Sequence, residues 1–357
     1  MTVLPLLEPA EAAKEAGLVY VSDAKPGISR VRKGDHFEYL KPDGTPVKDE
    51  ETLQRIRSLA IPPAYERVWI CTNANGHLQA TGYDARGRKQ YRYHPKFREV
   101  REESKFTKLI DFAAALPKIR ERVDADLAKR GMPREKALAT VVYLLEKSLI
   151  RIGNEEYARS NKHYGLTTML NRHAKVHGAD VRFSFVGKSG IKHEIEIHDQ
   201  RLAKIIAKCQ ELPGQELFNY VDDDGVCRDV TSTDVNHYLK EITGGEFTAK
   251  DFRTWSATVM ALTDLAARQL PASKKGGKMA VSEVMRKVSS VLGNTPTICR
   301  KCYVHPAIVQ AYLDGRLPDL MSACVEGCVA DADEMAVAKL LTEAAEAMHS
   351  NGKAYVA

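Results

Sequence analysis

Residues 136–150 are the stretch that most restricts how this chain can fold. Their sequence, KALATVVYLLEKSLI, places apolar side chains on almost every face of a helix. A helix of this kind has to be covered on all sides, so the pattern predicts a buried helix at the centre of a large core. With 357 residues the chain exceeds the usual size of one core, and two domains are expected.

The first part of the chain has a different character. Up to about residue 93, short strand-like segments are separated by turn sequences such as Pro42-Asp-Gly and Asn75-Gly. After that point long helical segments dominate. The sequence therefore predicts an α+β protein in which a small β-rich domain, residues 1–94, precedes a mainly α-helical domain, residues 95–357.

The helical domain also contains a predicted β-hairpin, over residues 181–198. Phenylalanine and isoleucine alternate with polar residues on both sides of Gly187-Lys-Ser-Gly190, which places Lys188 at the tip. The Gly-Lys-Ser triplet resembles part of a nucleotide-binding loop. Arg182 stands where that motif requires its first glycine, so we expect no nucleotide there.

Charge is unevenly distributed along the chain. The net charge is +6, yet residues 313–357 hold eight acidic and three basic residues, which leaves an excess of eleven positive charges in the remainder. Such an excess favours a polyanionic partner. There is no apolar run of about 20 residues that could span a membrane and no signal-peptide pattern. With seven cysteines and no disulfide framework, a cytoplasmic location is expected.

Tyr303 lies in a basic segment, Cys299-Arg-Lys-Cys-Tyr-Val-His-Pro306. The tyrosine phenol has a pKa near ~10, so a tyrosine used as a nucleophile needs cations and a well-placed electrophile. Two arginines could supply charge. Arg151 follows the buried helix, and Arg253 is expected in the first turn of a helix capped by Thr248. Alternatively, Tyr303 packs on the core, and Arg151 pairs with one of the two glutamates that follow it.

A basic and aromatic run in the N-terminal domain predicts DNA contacts. Cations can bind phosphates, and glutamine and tyrosine can reach base edges or backbone oxygens. An exposed basic strand over packed tyrosines is the alternative. The candidate residues are Arg86, Arg88, Lys89, Gln90, Tyr91 and Tyr93.

Three further patterns in the sequence have more than one interpretation. Cys299-x-x-Cys302 with Cys324-x-x-x-Cys328 could form a zinc site, but buried small residues are the favoured interpretation. The acidic residues 222–224 lack the other ligands of a calcium loop, and a hairpin turn is predicted. Residues 273–278, SKKGGK, are expected to form a mobile linker. No metal site is predicted.

The set Arg151, Lys188, Arg253, Asn294 and Tyr303 resembles the active site of type IB DNA topoisomerases, in their compact poxvirus-like bacterial form. The resemblance extends from residue 61 to the tyrosine. It rests on Arg86-Gly-Arg-Lys-Gln-Tyr-Arg-Tyr93, Arg151-Ile-Gly-Asn154, Phe185-Val-Gly-Lys188, Lys250-Asp-Phe-Arg-Thr-Trp255 and Cys302-Tyr-Val-His-Pro306, all in order.

This resemblance implies a clamp of two domains around duplex DNA. Tyr303 would attack a phosphodiester and leave a 3′-phosphotyrosyl bond and a free 5′-hydroxyl, which later reseals the strand. The ester conserves bond energy, so neither ATP, a metal nor another cofactor is implied. A monomer acting on DNA at the nucleoid, without an obligatory protein partner, is the simplest expectation.

Residue roles follow from the same resemblance. Arg151 and Arg253 would bind the non-bridging phosphate oxygens, and Lys188 would protonate the leaving 5′-oxygen. Asn294 stands where other members have histidine, which implies a neutral hydrogen bond to phosphate. Lys250 and Lys301 would add phosphate contacts.

The sequence is also compatible with two other functions. A tyrosine recombinase shares the chemistry, although it usually has a His-x-x-Arg motif and a helical N-terminal domain. A basic DNA-binding protein without enzymatic activity is the second alternative.

Overall fold

The computed structural model describes residues 8–34, 36–85, 87–269, 273–325 and 332–351. The chain divides into two compact units between Phe106 and Thr107. This division falls inside a long helix, α3 (Pro95–Leu127), whose first residue is next to the boundary expected from the sequence. No helix among the described residues is long and apolar enough to cross a membrane.

The N-terminal unit is built on a five-stranded antiparallel sheet with the order β2-β1-β3-β4-β5. The strands are β1 (Ile28–Lys33), β2 (His36–Leu40), β3 (Glu66–Ile70), β4 (Leu78–Tyr83) and β5 (Lys89–Tyr93). Two helices accompany them, α1 (Pro9–Glu15) and α2 (Glu50–Ser58). Ile56 of α2 packs on Ile28 and Ile70 of the sheet to form a small core. The β-rich N-terminal domain is thus confirmed.

The second unit is mainly helical, as predicted. After α3 (Pro95–Leu127) come α4 (Arg134–Ser148), α5 (Glu155–Asn161), α6 (Gln200–Glu211), α7 (Ser232–Thr243), α8 (Ala249–Ala266), α9 (Lys274–Leu292), α10 (Pro296–Cys302), α11 (Pro306–Leu313), α12 (Leu317–Val325) and α13 (Ala332–Asn351). The strands are β6 (Ala174–His177), β7 (Asp180–Val186), β8 (Lys192–His198), β9 (Asn219–Val221) and β10 (Cys227–Asp229). Strands β6, β7 and β8 form one sheet, and β9 pairs with β10.

Helix α4 lies in the middle of this core, as its apolar sequence requires. All side chains from residue 136 to residue 142 are buried, and the helix packs against α7 and α8. The helix ends where Leu149 adopts the left-handed conformation, with φ of 55°. That conformation ends the helical hydrogen bonding and turns the chain. Arg151 therefore lies just after the end of the buried helix.

The prediction of a mobile linker at residues 273–278 is wrong. Helix α9 begins at Lys274, and the hydroxyl of Ser273 accepts the backbone N–H of Gly276 at 3.1 Å as its N-cap. Buried Val281, Val284 and Val288 lie along one face of the helix. Capping and this apolar face outweigh the helix-weakening effect of the two glycines.

Candidate active site

Tyr303 occupies the break between two short helices. Helix α10 ends at Cys302, Tyr303 is the half-buried residue that caps it, and α11 begins at Pro306. Thr258 of α8 holds this break in place. Its hydroxyl shares one proton between the carbonyl of Thr254 at 2.8 Å and that of Tyr303 at 3.1 Å, and it accepts the backbone N–H of His305 at 3.2 Å. The tyrosine backbone is thereby fixed to the helix that carries Arg253.

The sequence predicts Arg253 in the first turn of its helix, and this prediction is wrong. Arg253 is the fifth residue of α8, and only 4% of its surface is exposed. Its guanidinium donates to the carbonyl of Leu149 and, at 2.7 Å, to that of Leu292. Its central carbon lies 5.6 Å from the centroid of the Tyr303 ring. Backbone carbonyls thus hold this arginine beside the tyrosine, and the end of its own helix is not involved.

Arg151 joins the same group from the other side. Its Nη2 donates to the carbonyl of Gly293 at 2.9 Å and to Oδ1 of Asn294. Among the described residues, no ion pair joins Arg151 to Glu155 or Glu156, and Glu155 instead contacts Arg159 at 3.3 Å. Because the amide oxygen faces Arg151, Asn294 keeps its NH₂ group for another acceptor.

The electrostatics of the two arginines suit an anion. Burial, and then the charge of Arg151, lower the pKa of Arg253 to about 10. Burial also lowers the pKa of Arg151. Within the described part of the chain, neither guanidinium pairs with a carboxylate, and the buried Arg253 Nε and Asn294 Nδ2 have no hydrogen-bond acceptor. A negatively charged ligand would supply both the missing negative charge and the missing hydrogen-bond acceptors.

Lys188 lies where the hairpin prediction placed it, in the turn between β7 and β8. The residue is exposed, and it lines the same small cavity as Arg151 and Arg253. His193 of β8 also lines this cavity and was missed by the sequence analysis. It occupies an inward position between Ile191 and Ile195 in the alternating strand, and a polar residue in an apolar register could have drawn attention to it.

The DNA-contact residues predicted in the N-terminal unit lie on β5 and the turn before it. Several of them already have acidic partners: Arg88 contacts Asp84 at 2.7 Å, Gln90 donates to the same carboxylate, and Lys89 contacts Asp23 at 2.5 Å. Tyr91 and Tyr93 are exposed, and their rings stack with centroids 6.0 Å apart. Arg86 lies outside the described residues.

The remaining predicted residues lie on helix surfaces of the second unit. Lys250 is exposed in the first turn of α8, and Lys301 is exposed in the last turn of α10. Cys299 is buried, and the Cys324 side chain and Cys328 lie outside the described residues. Among the described side chains, no group of three or more His, Cys, Asp or Glu residues is arranged to hold a metal ion.

Comparison with known families accounts for most of the chain. Residues 94–317 match the family described as eukaryotic DNA topoisomerase I, catalytic core, which is more than half of the sequence. The chain belongs to the type IB DNA topoisomerases. Residues 36–84 separately match the N-terminal domain of bacterial DNA topoisomerase IB. The topoisomerase therefore has the N-terminal module of the bacterial form.

Individual relatives agree with this assignment. The chain is 31% identical over 294 residues to DNA topoisomerase 1B of Acanthamoeba polyphaga mimivirus, covering 80% of this chain and 87% of the relative. It is 24% identical over 295 residues to DNA topoisomerase 1B of Vaccinia virus (strain Copenhagen), covering 78% and 87%. The protein is thus a type IB topoisomerase that relaxes supercoiled DNA, and the recombinase and non-enzymatic hypotheses are set aside.

Proposed function

We propose that this topoisomerase cleaves one DNA strand with Tyr303 and holds the attacked phosphate with Arg151 and Arg253. One observation carries the proposal. The guanidinium of buried Arg253 lies beside the half-buried Tyr303, half-buried Arg151 lies near it, and neither arginine has a carboxylate partner among the described residues. A phosphodiester between them would receive charge-assisted hydrogen bonds, which are the stronger kind. These bonds strengthen as negative charge builds on the non-bridging oxygens.

Asn294 adds a neutral donor to the same phosphate. Its Oδ1 is engaged by Arg151, so Nδ2 is the group left to donate. An amide has no proton to release near neutral pH. We therefore assign Asn294 to binding and orientation and not to proton transfer.

Lys188 is proposed as the general acid. As the bond between Tyr303 Oη and phosphorus forms, the bond between phosphorus and the 5′-oxygen breaks, and Lys188 gives that oxygen its proton. The phenolic proton leaves to solvent. Resealing is the reverse reaction, in which the 5′-hydroxyl attacks the phosphotyrosyl ester. The ester retains the energy of the broken bond, so we propose that the cycle uses neither ATP nor a metal ion.

Other DNA contacts are proposed on both units. In the N-terminal unit, stacked Tyr91 and Tyr93 offer an exposed surface, with Arg86, Arg88, Lys89 and Gln90 nearby in sequence. In the second unit, exposed Lys250 and Lys301 would contact phosphates. We also propose that the enzyme acts as a monomer on DNA at the nucleoid, in the cytoplasm.

The test is relaxation of supercoiled plasmid in EDTA without ATP, by the wild-type enzyme and by the Tyr303→Phe variant. We expect relaxation by the former and none by the latter. Tyr220→Phe is the matched control, because Tyr220 lies on β9, outside the site, and should retain full activity. Relaxation by Tyr303→Phe would remove the nucleophile assignment, and inhibition of the wild-type enzyme by EDTA would contradict the metal-free cycle.

The polarity of cleavage is tested by trapping the covalent adduct with detergent. A duplex is labelled at the 5′ end of the cleaved strand in one sample and at the 3′ end in another. We expect the 5′-labelled fragment to migrate with the protein and the 3′-labelled fragment to be released. The opposite distribution would contradict a 3′-phosphotyrosyl bond.

A further inference from the structure

His193 lies between two backbone segments that carry active-site residues. It lies opposite Phe185 on the neighbouring strand β7. The two rings stack with their centroids 5.1 Å apart and an interplanar angle of 16°. A side chain at Gly187 would bring its Cβ within 2.7 Å of His193 Cδ2. A side chain at Gly293 would bring its Cβ within 2.9 Å of Cε1. The imidazole ring therefore fills the space against both glycines.

Each glycine directly precedes a residue of the site. Gly187 precedes Lys188, the proposed general acid. Gly293 precedes Asn294, and its carbonyl accepts a hydrogen bond from Arg151 at 2.9 Å. The ring of His193 thus touches the segment that delivers the proton and also the segment that helps to hold the phosphate.

We propose that His193 is a positioning residue, which sets the distance between the Lys188 turn and the phosphate-binding group formed by Arg151 and Asn294. The inference rests on the proposed role of Lys188. It goes beyond that role because Lys188 itself is exposed on a turn, and a turn needs a support to present its side chain reproducibly.

The chemistry of the ring suits this position. The cationic groups lining the same cavity are Arg151 and Arg253, from the segments after α4 and within α8, and Lys188 from the hairpin turn. Burial, then Arg151, then Arg253 lower the pKa of His193, so the imidazole is neutral near pH 7. A neutral flat ring supports both segments without adding a further positive charge to the site.

The test uses two DNA duplexes with a mapped cleavage site, one normal and one with sulfur in place of the 5′-bridging oxygen. A thiol is a far stronger acid than an alcohol, so the sulfur leaving group needs no proton donor. In single-turnover cleavage, we expect His193→Ala to be slower on the normal duplex by about 10- to 100-fold, below the full effect of a general acid. On the sulfur duplex its rate should equal that of the wild-type enzyme.

Three variants make the result interpretable. His198→Gln changes an exposed histidine of the same strand and should leave both rates unchanged. Arg151→Ala should be slow on both duplexes, because it acts on the phosphate. Lys188→Ala should be slow only on the normal duplex. If Lys188→Ala is slow on both, the general-acid assignment fails. If Lys188→Ala is rescued by sulfur and His193→Ala is not, only the positioning role of His193 fails.

Gly187→Ala approaches the same contact from the other side, and as a single variant it does not depend on a folded His193→Ala protein. The backbone of Gly187 has φ of −92°, which alanine adopts without strain, so its new methyl group acts mainly by pressing on the ring. We expect Gly187→Ala to slow cleavage of the normal duplex and to be rescued by sulfur. In the His193→Ala background the same methyl should cost little, because its space has been vacated. Additive losses, or no loss from Gly187→Ala alone, would overturn the proposal.

Discussion

The hydroxyl of Thr258 connects the nucleophile segment to the helix that carries Arg253. It shares its proton between the carbonyls of Thr254 and Tyr303 and accepts the buried N–H of His305. Valine has the same shape without the hydroxyl. We expect Thr258→Val to lower the free energy of unfolding by about 1–3 kcal/mol, the usual cost of stranding buried polar groups. Single-turnover cleavage should slow as well, because the tyrosine backbone loses its anchor.

Thr263→Val provides the comparison on the same helix. Thr263 is exposed and donates to Asp333 at 2.6 Å, so water can replace the lost bond. Its unfolding free energy, measured in urea, should change by less than about 0.5 kcal/mol. Equal effects of the two valine substitutions would show that Thr258 has no special role.

His77 makes the N-terminal unit sensitive to acid. It is buried, its ring stacks on Tyr20 at 4.5 Å, and its Nδ1 accepts the N–H of Val21 at 3.1 Å. Burial lowers its pKa below the ordinary value near ~6.5. Between the folded and unfolded values the unfolded chain binds more protons, so stability rises with pH there. We therefore expect the contribution of His77 to be full above about pH 6.5 and to be lost as the pH falls further.

His77→Phe tests this, because phenylalanine retains the ring contacts and cannot be protonated. The fluorescence of Trp69 on β3 reports on the N-terminal unit once Trp255 has been replaced by phenylalanine. In that background, we expect the free energy of unfolding to fall less between pH 8 and pH 5.5 in the His77→Phe variant than in the protein that keeps His77. An identical loss in both proteins would assign the acid sensitivity to other groups.

A residue of the site could be identified from the sequence where its chemical type is unusual for its position. Tyr303, Arg151, Arg253 and Asn294 are brought together by the structure, and each was a candidate from the sequence. Thr258 and His193 were not candidates. Their roles depend on carbonyls, N–H groups and glycines contributed by distant segments, and no local pattern records such contacts.

At the scale of elements, strand alternation and caps were the reliable guides. The alternation in residues 181–198 predicts β7 and β8 with the correct tip. The segment 273–278 was predicted to be a linker, but Ser273 caps α9 and the two glycines lie in its first turn. The position of Arg253 in the first turn of its helix was also predicted wrongly. A sequence can place an arginine near a helix start, but the carbonyls that draw it into the core come from α9 and the end of α4.

Helix α13 is attached to the core by an ionic network. Arg120 of α3 binds both oxygens of Glu334 at 2.8 and 2.9 Å and also Glu146 of α4, and Trp255 of α8 donates to Glu334 at 3.1 Å. We expect Glu334→Gln to lower the unfolding free energy by about 1.5–3 kcal/mol, because a bidentate charged contact is broken. Thermal or urea unfolding followed by Trp255 fluorescence measures it.

The Arg316–Glu343 pair is the matched control. These side chains are 4.0 Å apart and about half exposed. Removing that charge with Glu343→Gln should change stability by less than about 0.5 kcal/mol. A loss of similar size in both variants would mean that the network around Arg120 is no stronger than a surface ion pair.

For the whole molecule, the charge distribution predicts how binding responds to salt. Residues 313–357 are acidic, and the excess of positive charge lies in the rest of the chain, where Lys250 and Lys301 are exposed. Each phosphate contact releases condensed cations and contributes about −0.9 to the slope of log K against log salt. In the Tyr303→Phe background, which allows equilibrium binding without cleavage, Lys250→Gln with Lys301→Gln should reduce the steepness of that slope by about 2. Lys339→Gln removes an exposed charge from the acidic segment and should leave the slope unchanged. A double variant that binds more weakly with an unaltered slope would show that the two lysines act on the protein and do not contact phosphate.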